Sequence, residues 1–232
     1  MSNNTKTSSS FSKKKNNASS SVSNSTSSPP PSYDHVYESS LFSKSDSNAL
    51  SQNTLKAFHT ALCFIPPRDV WEPIQQMREH LDKAYQRWPP HINLLFPFIS
   101  EKYFDAAAQL LKESMKSLES FDLTLSGISY FDKKTAVMYL DQDDYGKQKL
   151  VELQSMVAKH FPYCDEKKNE HGEFVPHLTV GQCAQKMVQS KVKELNSKWK
   201  PVTFKVEDIC MIYRPDQETS FAVIHRIPLG GQ

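Results

Sequence analysis

The chain has 232 residues, of which 38% are hydrophobic and 23% charged, enough for one domain with or without a tail. Its formal net charge of +2, from 28 basic and 26 acidic residues, excludes a histone-like polycation. No run approaches the roughly 18 apolar residues of a membrane helix, so no membrane partner is expected, and MSNNTKTSSSFSKKKNN lacks the apolar stretch of a secretory signal.

Composition changes abruptly near residue 53. Residues 1–52 are rich in Ser and Asn, with a Pro29-Pro30-Pro31 triplet, and bury too little surface to offset the entropy of ordering. A disordered tail over 1–52 and one domain over 53–232 are therefore expected. Lys13-Lys14-Lys15 reads as a solvated charge run, with nuclear localisation as the alternative. Tyr33, Tyr37, Leu41 and Phe42 interrupt the polar tract and mark a segment able to dock on the domain or on a partner. Cys63, Cys164, Cys183 and Cys210 form no CxxC pair and read as reduced thiols of a cytoplasmic protein.

In the domain, His59–Ile65 reads as a short apolar strand closed by Pro66-Pro67. Helical spacing follows over 69–86 through Val70, Trp71, Ile74, Met77, Leu81 and Tyr85. Pro89-Pro90 stops that helix, because the second Pro holds the first out of the helical region. His91–Phe96 is a strand ended by Pro97. A second helix carries Phe104, Ala107, Leu111, Met115 and Leu118. Phe121–Leu125 and Ala136–Leu140 are antiparallel neighbours, a third helix spans about 145–160, and a polar loop covers 165–170. Val175–Val180 is a strand, 184–199 a fourth helix, and Thr203–Tyr213 and Ser220–Ile227 are the closing strands. This alternation indicates an α+β fold: bilobal, with two pseudo-repeated strand-helix-strand halves whose antiparallel sheets flank a central cleft.

Two segments repeat. Pro90-His91-Ile92-Asn93-Leu94 and Pro176-His177-Leu178-Thr179-Val180 share one pattern, 86 residues apart. Strand side chains alternate between faces, so His91 with Asn93, and His177 with Thr179, form polar pairs opposite apolar ones. Packed about a pseudo-twofold axis, the four side chains converge. With a reference pKa of about 6.5, one imidazole can be neutral while the other is protonated near neutrality, which supplies a general base and a general acid. The Thr179 hydroxyl and Asn93 amide can donate to a phosphate oxygen. Which histidine is the base stays open.

At these residues the chain resembles the two-histidine phosphoesterase superfamily, the 2′-5′ RNA ligase-like proteins and RNA cyclic phosphodiesterases. His177-Leu178-Thr179-Val180 matches the family's His-x-(Thr/Ser)-x pattern fully, while His91-Ile92-Asn93-Leu94 departs from it at Asn93. Pro89–Phe98 and Ile227-Pro228-Leu229-Gly230 are also similar, and the resemblance covers about residues 55–230. It implies cleavage, without metal or other cofactor, of 2′,3′-cyclic phosphates or related phosphodiesters on nucleotides or RNA ends. His91 and His177 would be catalytic, and Asn93 and Thr179 would bind phosphate. Phe64 and Phe96 are further candidates for stacking a base, and Tyr213-Arg214 for placing a guanidinium near phosphate.

Two other readings compete. Cys164, His171, His177 and Cys183 fall close enough in sequence for zinc, but lack the short chelating pairs of structural sites. Asn93 keeps open a catalytically weak or inactive module of the same fold that binds an RNA end or nucleotide. A monomer in the cytoplasm, or in the nucleus, is expected. Because every motif lies downstream of residue 55, a chain beginning near Leu55 should fold and keep its turnover rate. Loss of activity on deleting residues 1–50 from a still-folded protein would place the tail in the site.

Overall fold

The computed structural model describes residues 56–165, 169 and 171–230. The expected tail, with its lysine cluster and Tyr33–Phe42 segment, and part of the 165–170 loop lie outside the described residues. Ten strands and four α-helices follow in chain order: β1 (Lys56–Ala57), β2 (Thr60–Phe64), α1 (Trp71–Leu81), β3 (Ile92–Leu95), β4 (Phe98–Ile99), α2 (Phe104–Met115), β5 (Phe121–Phe131), β6 (Thr135–Gln142), α3 (Asp144–His160), β7 (Leu178–Ala184), α4 (Gln185–Lys198), β8 (Val202–Val206), β9 (Asp208–Tyr213) and β10 (Ala222–Pro228). No helix among the described residues is long and apolar enough to cross a membrane.

Two four-stranded sheets, in the orders β10-β9-β2-β3 and β7-β6-β5-β8, are antiparallel throughout, and β1 pairs with β4. This is the expected α+β class. Each histidine motif enters an edge strand, β3 in one sheet and β7 in the other. Each of these strands pairs with the strand that precedes its connecting helix, β2 before α1 and β6 before α3.

Three boundaries differ from expectation. First, α1 stops at Leu81, five residues short of the expected 86, and Tyr85 lies in a turn. Asp82 takes an extended conformation and turns its carboxylate onto Arg78 and the Ala84 N–H. Second, β7 begins at Leu178, so Pro176 and His177 stand just ahead of the strand, as Pro90 and His91 do before β3. A proline has no N–H for the ladder, so pairing starts after it. Third, the expected strand Thr203–Tyr213 is two strands in different sheets, broken at exposed Glu207. In β8 burial alternates through Phe204 and Val206, whereas Ile209–Ile212 of β9 are all buried, as a strand covered on both faces requires.

The main core joins both sheets and the helices, including Leu62, Ile92, Leu94, Leu111, Leu125, Met138, Leu153, Val180, Phe204 and Met211. Phe64 belongs to it, 2% exposed and stacked on Phe204 at 5.8 Å, so it offers no face to a ligand and is removed from the candidate substrate contacts. A smaller cluster lines the other face of the first sheet: Ala61, Cys63, Ile65, Cys210, Ile212 and Phe221, with Trp71, Trp88 and Phe96 packed on it.

The end of α1 joins this first sheet to β7 of the second. A Cβ at Gly181 would stand 2.4 Å from Leu81 Cβ and 2.8 Å from the Leu81 carbonyl, so only glycine admits the contact. Beside it, buried Arg78 pairs with buried Asp82 at 2.8 Å. The guanidinium also donates to Gln75 Oε1 and to the Trp88 carbonyl, each at 2.9 Å. Gln182 Nε2 donates to Asp82 Oδ1 at 3.1 Å, and Gln182 Oε1 accepts from the Lys83 N–H at 3.1 Å. Arg78→Ala strands a buried carboxylate and should destabilise the fold by about 3–5 kcal/mol, measured by urea unfolding. The pair Arg78→Met with Asp82→Leu leaves no lone charge and should cost clearly less.

Candidate active site

Both histidines are anchored alike. His91 Nδ1 lies 2.8 Å from the Pro89 carbonyl, and His177 Nδ1 lies 2.8 Å from the Val175 carbonyl, each two residues back. A carbonyl only accepts, so Nδ1 carries the proton in the neutral ring and the lone pair sits on Nε2. Asn93 agrees with this tautomer, since its amide Nδ2 donates to His91 Nε2 at 3.1 Å. The Asn93 Oδ1 is buried and has no hydrogen-bond partner.

Burial drives the His91 pKa down to about 4. The charges of Arg78 and His177 push the same way, while the Pro89 carbonyl and Asp82 oppose them. That His177 acts on His91 places the two imidazoles in one electrostatic neighbourhood. Thr179, partly buried in β7, is paired with Tyr139 of β6.

Aromatic rings wall each histidine. Trp88 stacks on His91, centroids 4.4 Å apart at 20°, and is packed in turn by Phe221 at 3.9 Å and Phe96 at 5.4 Å. His177 meets Phe131 edge to face at 4.9 Å and Tyr139 at 5.7 Å, and those two rings stack at 4.5 Å. Trp88, Phe131 and Tyr139 were not among the sequence candidates. Trp88 carried a signal, because the stiff Pro89-Pro90 link ties it to His91. Phe131 had none, since it reaches His177 from a strand 46 residues earlier in the chain.

The remaining candidates sit around this pair. Phe96 is partly buried between Trp88 and Phe58, the latter 6.2 Å away. Tyr213 packs edge-on to His59 at 5.6 Å. Arg214 lies 4.8 Å over the Phe221 ring and donates to the Gln217 carbonyl at 2.8 Å, which puts Phe221 and Trp88 between it and His91. Other histidines are engaged elsewhere: His59 with Glu101 at 3.0 Å, His225 with Asp105 at 3.1 Å, His160 with Ser114 at 2.7 Å. Among the described residues, no three of His, Cys, Asp and Glu gather where they could hold a metal ion.

Comparison with known proteins adds an independent line. Residues 66–218 match the 2′-5′ RNA ligase superfamily. A protein of Oceanobacillus iheyensis named "Putative phosphoesterase OB1230" is 24% identical over 174 residues, 73% of this chain and 96% of its own. "Putative phosphoesterase BH1439" of Halalkalibacterium halodurans is 25% identical over 122 residues, 52% of this chain and 68% of its own. Among solved structures, E. coli LigT complexed with 3′-AMP superposes with a TM-score of 0.50 at 17% identity, covering 74% of this chain and 97% of that one. That likeness is one of fold.

The His91 environment makes a direct prediction. Its folded pKa lies below the reference value of about 6.5, so the ring should stay neutral as pH falls through 6.5 and take up its proton only near pH 4. Imidazole NMR shifts of the free protein, assigned with His91→Gln, would check this. A midpoint at the reference value would contradict the burial argument.

Proposed function

We propose that this chain, which belongs to the 2′-5′ RNA ligase superfamily, is a metal-independent phosphoesterase. It opens 2′,3′-cyclic phosphates, or cleaves related phosphodiesters, on nucleotides or RNA ends, and acts as a monomer. The observation that carries this reading is the matched anchoring of His91 and His177 through Nδ1 to the second carbonyl upstream. It turns the same nitrogen, Nε2, of both rings to one task. Relatives named as phosphoesterases, and a fold neighbour holding a ribose 3′-phosphate, are in keeping with it.

The mechanism assigns His91 the base, because a ring with its pKa lowered to about 4 is neutral near pH 7. His91 Nε2 takes a proton from water as the water oxygen bonds to phosphorus. The bond from phosphorus to one ribose oxygen breaks, and His177 gives that oxygen a proton. Asn93 Nδ2 leaves His91 Nε2 for a non-bridging phosphate oxygen, joined there by the Thr179 hydroxyl. One feature favours the second reading, a binding module: Asn93 occupies the lone pair that the base must use.

A panel of 2′,3′-cyclic nucleotides and cyclic-phosphate-ended oligonucleotides, assayed in EDTA, tests the proposal. Turnover should persist in chelator; loss restored by a stoichiometric divalent ion would overturn the mechanism. His91→Ala and His177→Ala should each lower kcat by about 10²–10⁴-fold, and the double variant should be hardly worse. The acidic limb of kcat/KM, which reports the free enzyme, should fall near pH 4. Asn93→Thr should keep or raise turnover in an enzyme and leave a binding module inert.

A further inference from the structure

The first sheet carries a row of side chains that the proposed chemistry does not use. Asn93 of β3 stands opposite Cys63 of β2, Cys63 opposite Cys210 of β9, and Cys210 opposite Arg226 of β10. Residues directly opposite across antiparallel strands share a face. Asn93, Cys63, Cys210 and Arg226 therefore lie on one face, the one bearing the smaller aromatic cluster and Trp88, which stacks on His91. At about 4.8 Å per strand, the row is some 14 Å long between its end Cα atoms.

Its two ends are chemically complementary to one ligand. At the Asn93 end, the buried Oδ1 is an acceptor without a donor. Leaving such an atom unmet is costly, and a ribose hydroxyl meets the need. At the other end, the Arg226 side chain is 53% exposed and uses only Nη1, which donates to both oxygens of Asp208 at 3.0 Å. Asp208 also accepts from the Cys210 thiol at 3.6 Å, so the carboxylate is held from two sides and orients the guanidinium. Nε and Nη2 are left to a further acceptor. Between the ends, Cys63 and Cys210 are small and buried, and form a low floor. Burial raises the pKa of both thiols, Cys210 to about 12, so the floor bears no negative charge to repel an anion.

We propose that Arg226, oriented by Asp208, is a second anion subsite on the same face as His91, and that it takes the 5′-phosphate of a ribonucleotide whose ribose hydroxyl reaches Asn93. The substrate is then a nucleotide phosphorylated at both ends of its ribose, as at the 3′ terminus of an RNA strand, rather than a bare nucleoside cyclic phosphate. This rests on the reading that His91 and His177 act on a ribose phosphate.

Calorimetry with adenosine 3′,5′-bisphosphate and adenosine 3′-monophosphate tests the subsite without turnover. Wild type should bind the bisphosphate about tenfold more tightly or better, the worth of a charge-assisted contact, with an advantage that shrinks as salt rises. Arg226→Gln should bring the ratio near one, and Arg226→Lys, which keeps the charge, should retain part of it. Equal affinities in wild type, or an unchanged ratio in a folded Arg226→Gln, would overturn the subsite. Failure of the catalytic reading would show separately, as wild type that binds both ligands but hydrolyses no cyclic phosphate.

Discussion

Everything at the candidate site depends on the buried contact between the end of α1 and β7. Arg78 reaches along α1 to Asp82, across the following turn to the Trp88 carbonyl, and through Asp82 to Gln182 of β7. One guanidinium thus holds the approach to His91 while its partner carboxylate holds the strand that carries His177. An ion pair this deep is an expensive way to join two surfaces, since desolvation consumes much of the attraction. Arg78 records that cost, as burial lowers its pKa despite the Asp82 charge. What the pair adds over apolar packing is direction. Its hydrogen bonds admit few geometries, and Gly181 under Leu81 allows the close approach they require.

The two histidines start from equivalent positions and end in different surroundings. Each follows a proline and opens an edge strand, and each spends Nδ1 on the second carbonyl upstream. Their aromatic neighbours then separate them: His91 lies flat against an indole, whereas His177 meets the phenyl ring of Phe131 edge to face. A stacked indole would favour a charged imidazole. At His91, burial and the nearby cations prevail, and the ring is held neutral. Two side chains of one type, in repeated motifs, can in this way be set to opposite ends of a proton transfer.

The first sheet shows how one strand can serve two cores. β9 is buried on both faces, with Ile209 and Met211 in the main core and Cys210 and Ile212 in the smaller cluster. The chain enters it directly from β8 of the other sheet, with Glu207 alone between them. A main-chain link this short couples the sheets at the edge far from the histidines, as α1 couples them near the site. The cleft is thereby bounded by elements tied at both ends, which suits a site whose proton donors and acceptors must keep a fixed separation.

The sequence alone determined what is local. Helical periodicity through Phe104–Met115 and Asp144–His160, strand alternation at Phe121–Leu125, and the Pro-His repeat are patterns within one element, set by the turn of a helix, the pleat of a strand or the rigidity of proline. The fold class, the strand-helix-strand order and the pairing of His91 with His177 as candidates were legible for that reason. Only the tertiary structure decided what depends on residues distant in the chain. Asp82 ended α1 because its carboxylate found Arg78 and Gln182, the latter a hundred positions onward. Thr203–Tyr213 divided because its two halves met different sheets. Phe64 went to the core and Arg214 to Phe221, although their strand positions read as well for the cleft. His91 lost its ordinary basicity to a burial that only packed neighbours impose. Short-range pattern reports which face of an element is apolar; which partner covers that face, and what charge or ring stands beside a histidine, is settled when distant segments pack.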